Sequence, residues 1–390
     1  MGKTLSLKKL KVTSLIGFRH LFILGLNFVF HIVGVRILGS FDWGNFIFIQ
    51  SAVLLLINIT PPIEKWFILY AGDSNQLYFS HLKLVFFAKF ICLVIGFLIL
   101  LLIFFDHQYF IVIFLILSQG LKPVINEYFN ALQDVAKSSV LPIILSLNIP
   151  ISLIYLMFDN SVFNFLYIYV LSDILIVLIV SFKFLLNVDT FKVTFLRVIL
   201  TRILPIWPGS FVQSISSQGM KLLVGGFLGP SLLSYYGIIK NGLEASVGLY
   251  SSVLTFFSPS FIRESKENNS QNNIFLKLNL FGLAYSFIFV CGIYLLEIIA
   301  GFEHDYLIVL LFGLQNFLRI ISGYYGVILY GNDKNSLISL ITFIRVSFDL
   351  LVIYSLSLFV ESSLLIILAT TTISYFFASY VVIKKSKEIC

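Results

Sequence analysis

The stretch from Ser14 to Leu38, SLIGFRHLFILGLNFVFHIVGVRIL, is apolar over most of its length. A helix that crosses the roughly 30 Å hydrocarbon core of a bilayer needs about 20 such residues, so this stretch reads as a membrane span. The basic start through Lys11 resembles a signal peptide, but the apolar run is too long and no small-residue cleavage site follows it. Working outward, apolar runs punctuated by charge, Gly, Pro or Asn give twelve candidate spans, at about 14–38, 44–70, 84–105, 110–131, 138–158, 162–185, 203–228, 232–258, 275–300, 306–330, 336–358 and 362–383. Composition agrees: the 390 residues are 59% apolar and 12% charged, where soluble domains run at roughly 45–50% and about 25%. A water-soluble fold is excluded, and twelve spans leave no room for a second, soluble domain.

The net charge of +7 is 26 basic less 19 acidic residues, and its placement matters more than its sum. With the N-terminus cytoplasmic, the loops on that side carry seventeen Lys and Arg residues, from Lys3 to Lys387. The opposite loops carry Asp42, Asp106, Asp159, Glu303, Asp305 and Glu361, without a Lys or Arg among them. Such asymmetry places both termini inside and supports an even number of spans. It does not imply nucleic-acid binding. Cys92, Cys291 and Cys390 are far apart and match no metal or paired-thiol spacing.

The chain repeats itself at about half its length. Shifted by 190, Ile37-Leu38-Gly39 falls on Phe227-Leu228-Gly229; shifted by 197, Pro62 falls on Pro259, Lys137 on Lys334 and Ser139 on Ser336. Six spans per half is an even number, so the halves enter the membrane in the same direction and are related by an axis along its normal. The expected fold is therefore all-α, with twelve transmembrane helices in two six-helix lobes, residues 1–186 and 203–390, joined by a cytoplasmic linker at 187–202 and facing a central cleft.

Nine basic residues remain in or at the ends of spans: Arg19, Arg36, Lys65, Lys89, Lys122, Lys221, Lys240, Arg319 and Arg345. A charge at the bilayer centre costs about 2.5 to 3.5 kcal/mol on insertion scales, so each calls for a partner, a watery cavity or a route to the headgroups. Arg19, Arg36, Lys65 and Lys89 lie near span ends, where long side chains snorkel. Lys240 with Glu244 and Arg345 with Asp349 are i,i+4 pairs able to neutralise each other on one helix face. Lys122, Lys221 and Arg319 have no acid at helical spacing; Glu127, five residues from Lys122, lies about 140° around the helix.

The repeat places Lys122 on Arg319 and His31 on Lys221. His20, Asn27 and His31 share a face of the first span, and their counterparts are Ser210, Ser217 and Lys221, with Ser214 and Gln218 widening the second stripe. Such stripes can hold helices together in lipid; they also suit a cleft for a ligand bearing phosphate and sugar groups. On that reading Arg319, Lys122, Lys221, His31, Lys240, Asn27 and Gln218 bind substrate. The buried acids Asp173 and Glu127 are candidates for taking up a proton or sodium ion, or for pairing across helices. No phosphate-binding Gly-rich loop, metal-spaced His/Cys cluster or nucleophile elbow is present, so neither a cofactor nor enzymatic chemistry is expected.

The stretch Arg36-Ile-Leu-Gly-Ser-Phe-Asp-Trp-Gly44 and its echo Phe227-Leu-Gly-Pro-Ser-Leu-Leu-Ser-Tyr-Tyr-Gly237 resemble the Leu-Gly, aromatic-Gly signature of Wzx-type polysaccharide flippases. These form a branch of the multidrug/oligosaccharidyl-lipid/polysaccharide exporter superfamily. The turns Ala131-Leu-Gln-Asp and Tyr330-Gly-Asn-Asp are similar to that family's inner-loop turns, while Trp43 stands where Tyr or Phe is usual. The resemblance implies a protein of the bacterial plasma (inner) membrane that moves undecaprenyl-pyrophosphate-linked oligosaccharide repeat units from the inner to the outer leaflet, by alternating access, for O-antigen or capsule assembly. Implied partners are the lipid-linked glycan, membrane lipid and other polysaccharide-assembly membrane proteins. Two other readings compete. A multidrug exporter of the same fold would favour an acid-dominated cleft, and a membrane-embedded polysaccharide polymerase would carry its chemistry on a sizeable outer loop.

Overall fold

The structure, a computed structural model, describes residues 2–65, 85–95, 97–98, 110–131, 135–159, 161–185, 207–265, 271–302, 305–331, 335–359 and 363–388. Among them the regular structure is helical throughout. Two compact units divide the chain, Met1–Leu222 and Leu223–Cys390. The linker expected at 187–202, and parts of the second, third and seventh expected spans, lie outside the described residues.

The first unit opens with α1 (Gly2–Ile59), which carries a break at Gly39, where φ is 84° and ψ 164°. Residues 30 and 46 would stand about 24 Å apart along one straight helix. Instead the Phe30 and Phe46 rings lie 5.7 Å apart, and Phe30 and Trp43 5.0 Å apart. The chain therefore folds back at Gly39, and α1 is a hairpin of two antiparallel limbs. Trp43 seats its ring against the Cα of Gly34, where any side chain would collide with it. This reversal is what the Leu-Gly-Ser-Phe-Asp-Trp-Gly stretch encodes. The limbs close on an aromatic core of Phe30, Trp43, Phe46, Phe165 and Tyr169.

After a short 3₁₀ turn (Ile63–Lys65) and α2 (Val85–Ile95) come α3 (Phe110–Ala131), α4 (Val135–Leu145), α5 (Asn148–Leu156) and α6 (Val162–Leu185). The single span expected at 138–158 is two helices, broken at Ser146–Leu147. Pro150, lacking an N–H, cannot donate to the Ser146 carbonyl, which accepts from the Ile149 N–H instead. Next are α7 (Trp207–Ser214), a π-helical turn (Ile215–Gly219) and α8 (Met220–Leu228). Trp207 Nε1 donates to the Ile59 carbonyl at 2.9 Å, tying α7 to the end of the α1 hairpin.

The second unit holds α9 (Pro230–Ser265), α10 (Gln271–Ala300), α11 (Tyr306–Gly331), α12 (Asn335–Phe359) and α13 (Leu364–Lys387). Its α11 packs against α9, α10 and α13. Two polar knots lock it there. Gln315 Nε2 donates to the hydroxyls of Thr371 at 2.9 Å and Thr372 at 3.0 Å, and the Ser246 hydroxyl donates to Asn316 Oδ1 at 3.1 Å.

The repeat is visible in backbone geometry. Gly229, the counterpart of Gly39, has φ 87°. Shifted by 197, α3 covers 307–328 against the observed Tyr306–Gly331.

Charge and apolarity are distributed as in a membrane protein. α6 exposes Leu171, Leu175 and Leu178 by 50% or more while Asp173 is fully buried. Six helices among the described residues are long and apolar enough to cross a bilayer. One of these, Phe22–Ile59, holds both limbs of the folded hairpin. The chain is an all-α, multi-pass membrane protein.

Candidate functional site

Three groups of polar residues, among several buried ones in the described residues, hold the candidate binding residues; another pairs Lys89, placed near a span end by the sequence, with Glu64 at 3.2 Å. In the first unit, the π-helical turn widens the backbone by one residue just before Lys221. Gln218, within that turn, and Lys221, just after it, come together, with Lys221 Nζ donating to Gln218 Oε1 at 3.4 Å. His31, on the first limb of α1, lies within electrostatic reach of Lys221. All three are buried, and His31, Gln218 and Lys221, expected on matching faces of two different lobes, lie together in the unit Met1–Leu222. Asn27, expected on the same stripe, is exposed, and the His20 side chain lies outside the described residues.

The second group joins Lys122 on α3 to Asp173 on α6 by an ion pair, and Gln119 Nε2 donates to the other carboxylate oxygen at 3.0 Å. Pro123 follows Lys122 and removes the N–H that would bond the Gln119 carbonyl, loosening α3 at this turn. The partner that helical spacing on α3 could not supply to Lys122 thus comes from α6. Glu127 is half-buried further along α3.

The third group lies wholly in the second unit. Arg319 sits on α11 one turn beyond Gln315 and Asn316, so both polar knots fix its height. Its guanidinium lies 5.6 Å from the centre of the Tyr375 ring on α13, and that of Arg345, on α12, lies 4.0 Å from the same centre. Lys240, on α9, is buried within electrostatic reach of Arg319, Arg345, Glu244 and Tyr375. The expected pair of Arg345 with Asp349 forms, at 3.8 Å. Among the described residues Lys240 and Glu244 are within electrostatic reach without forming an ion pair, and Glu244 Oε1 is buried without a hydrogen-bond partner. The same holds for Arg319 Nη1 and Asp349 Oδ1. Three cations and two carboxylates thus share one aromatic platform, and the group retains unspent donors and acceptors.

The lack of an acid at helical spacing singles out Arg319, and Lys240, although it has Glu244 at that spacing, also stands among the expected binding residues, but nothing in that spacing marks Tyr375. An aromatic in the run Tyr375-Phe376-Phe377 looks like any lipid-facing residue. The repeat holds a trace of it: Asp173 and Tyr375 are each the twelfth residue of their helices, and each meets the Lys122 or Arg319 of its own unit.

Comparison with solved structures places this architecture. An inward-facing multidrug resistance MATE transporter of the MOP superfamily matches with a TM-score of 0.65 at 13% identity, over 95% of this chain and 97% of that one. An outward-facing MATE transporter matches at 0.57 and 13% identity, over 97% and 95%. The fold is shared with the MATE transporters. A third match, at 0.55 and 11% identity over 97% and 95%, is a MOP superfamily transporter from Pyrococcus furiosus, for which reverse polarity of the binding pocket suggests a different function. No protein-family model and no curated protein sequence matches the chain.

Proposed function

We propose that this protein is a transporter working by alternating access, and that its cargo is a lipid-linked oligosaccharide carried by its pyrophosphate to the outer leaflet of a bacterial plasma membrane. The observation that carries the reading is the gathering of Lys240, Arg319 and Arg345 around Tyr375 with Arg319 Nη1 unspent. Guanidinium forks match phosphate oxygens bidentately and remain charged at any pH the cell meets. The buried Lys221, with Gln218 and His31, offers a second set of donors in the first unit. Folds shared with transporters in inward-facing and outward-facing states support the alternating cycle, and the Pyrococcus furiosus transporter is a precedent for this fold with reversed pocket polarity.

A second reading, export of organic cations, draws on the multidrug transporters among the structural matches and on Glu244 and Asp349 within the same cluster. It must contend with three cations against two acids there.

The deciding experiment expresses the protein in bacteria that lack their own lipid-linked oligosaccharide flippase and scores surface glycan, alongside export of cationic dyes. Restored glycan that is lost in Arg319→Ala, with unchanged dye accumulation, is the expected result. Dye export without glycan would install the second reading.

A further inference from the structure

We infer that Glu244 and Asp349 are sugar-reading residues, so that the second unit binds a glycosyl pyrophosphate and discriminates against the same lipid pyrophosphate without its sugar. This rests on the reading of Arg319 as a pyrophosphate contact.

An anion alone does not explain the cluster. Two carboxylates, Glu244 within electrostatic reach of Lys240 and Asp349 within reach of Lys240 and Arg345, repel a phosphate and cost desolvation besides. Asp349 is only 3% exposed. Were they present only to neutralise cations, each oxygen would be spent on a cation or a neighbouring donor. Asp349 does face Arg345 and the Ser374 hydroxyl, but among the described residues its Oδ1 is buried and unpartnered, as is Glu244 Oε1 on α9.

A carboxylate oxygen is an acceptor, and an unmatched buried acceptor stays costly until a donor reaches it. The fitting ligand therefore brings neutral donors beside an anion. An organic cation satisfies the acids and is rejected by Lys240, Arg319 and Arg345. Inorganic phosphate satisfies the cations and leaves the acids unmet. A sugar pyrophosphate answers both: hydroxyls donate to Glu244 and Asp349 while phosphate oxygens accept from Arg319. Glu244, Arg319 and Tyr375 are part-exposed while Lys240 and Asp349 are buried.

The test uses the full-length protein in lipid nanodiscs with two probes, a polyprenyl pyrophosphate and the same lipid bearing one hexose on the pyrophosphate. Charge-assisted hydrogen bonds to two hydroxyls should make the glycosylated probe bind about tenfold or more tightly. In Glu244→Gln, Asp349→Asn and the double variant that preference should shrink toward unity, with the bare pyrophosphate bound as well as or better than by wild type. Equal binding of the two probes by the wild-type protein overturns the inference whatever the variants do. So does an undiminished preference in a double variant that keeps the wild-type unfolding temperature. Arg319→Ala is the separate arm: if it binds both probes like wild type, the pyrophosphate reading fails; if it loses both while the double variant keeps its preference, only the sugar assignment fails.

Discussion

Lys122 on α3 and Asp173 on α6 neutralise one another inside the first unit, with Gln119 completing the acid's coordination. Each charge thus already has a partner within the unit. Removing one partner of such a pair leaves the other charge buried, typically at 3–5 kcal/mol, whereas replacing both with apolar groups is often neutral. Asp173→Asn and Lys122→Met alone are therefore expected to lower the unfolding temperature in detergent strongly, and Lys122→Met with Asp173→Leu to recover most of it. A double variant no more stable than the singles would show that the pair is not what they disrupt.

The Arg319 guanidinium and the Tyr375 ring give a graded series. Losing a desolvated charged contact costs about 2 kcal/mol or more, so Arg319→Ala should lower glycan export roughly thirtyfold while Arg319→Lys retains part of it. Tyr375→Phe keeps the ring and should transport near the wild-type rate. Tyr375→Leu forfeits a cation–π contribution of about 0.5–2 kcal/mol and should fall severalfold. Export measured at matched protein levels checks the order, and equal activity of the Phe and Leu variants would remove the ring from the account.

Gly39 and Gly229 occupy backbone that side chains avoid, with φ of 84° and 87°. Among the described residues nothing beyond the local backbone crowds the place where a side chain would start at either, so steric space is not the obstacle; the dihedral is. Alanine at each should cost about 1–3 kcal/mol, read as a lower unfolding midpoint, while Gly25→Ala, on the first limb, leaves it near wild type.

Asp159, between α5 and α6, accepts from Asn164 Nδ2, the Ser161 N–H and the Tyr155 hydroxyl, each at 2.8 Å. These bonds, that from Asn164 foremost, hold its carboxyl below the usual range. The unfolded chain thus takes up the proton at higher pH than the folded one. The stabilisation is complete above the unfolded value of about 3.9 and is lost as pH falls through the lower folded value. Asp159→Asn should therefore be less stable than wild type at neutral pH and approach it as the pH falls below 4, measured as unfolding midpoints across that range. A constant gap between the two would sink the assignment.

How far the sequence foretold all this differs by residue. Spans were legible because lipid demands uniform apolarity over a fixed length, and Gly39 and Gly229 because only glycine serves at their φ. His31, Gln218 and Lys221 are each marked in the sequence because polar residues in a span stand out against Leu, Ile and Phe, but their meeting in one unit is not, since the repeat sets them on separate lobes. The pairing of Lys122 with Asp173 was not, since spacing along one helix says nothing about a partner on another, 51 residues away. Tyr375 was hidden for a further reason: its contribution is the face of a ring, and the neighbouring phenylalanines carry the same signal outward to lipid. The break at Ser146–Leu147 left a signal in Pro142 and Pro150 that the surrounding apolar run concealed.

The reversal at Gly39 bears on biogenesis. Gly34 meets Trp43 and Phe30 meets Phe46, contacts only nine and sixteen residues apart along the chain. Elements held by such local contacts close early, because little loop entropy has to be lost first. Synthesis proceeds at about 5–20 residues per second, far slower than a helical hairpin forms. The α1 hairpin is therefore positioned to assemble while the ribosome is still making α3 to α6, presenting a finished aromatic face on which Phe165 and Tyr169 dock when they emerge.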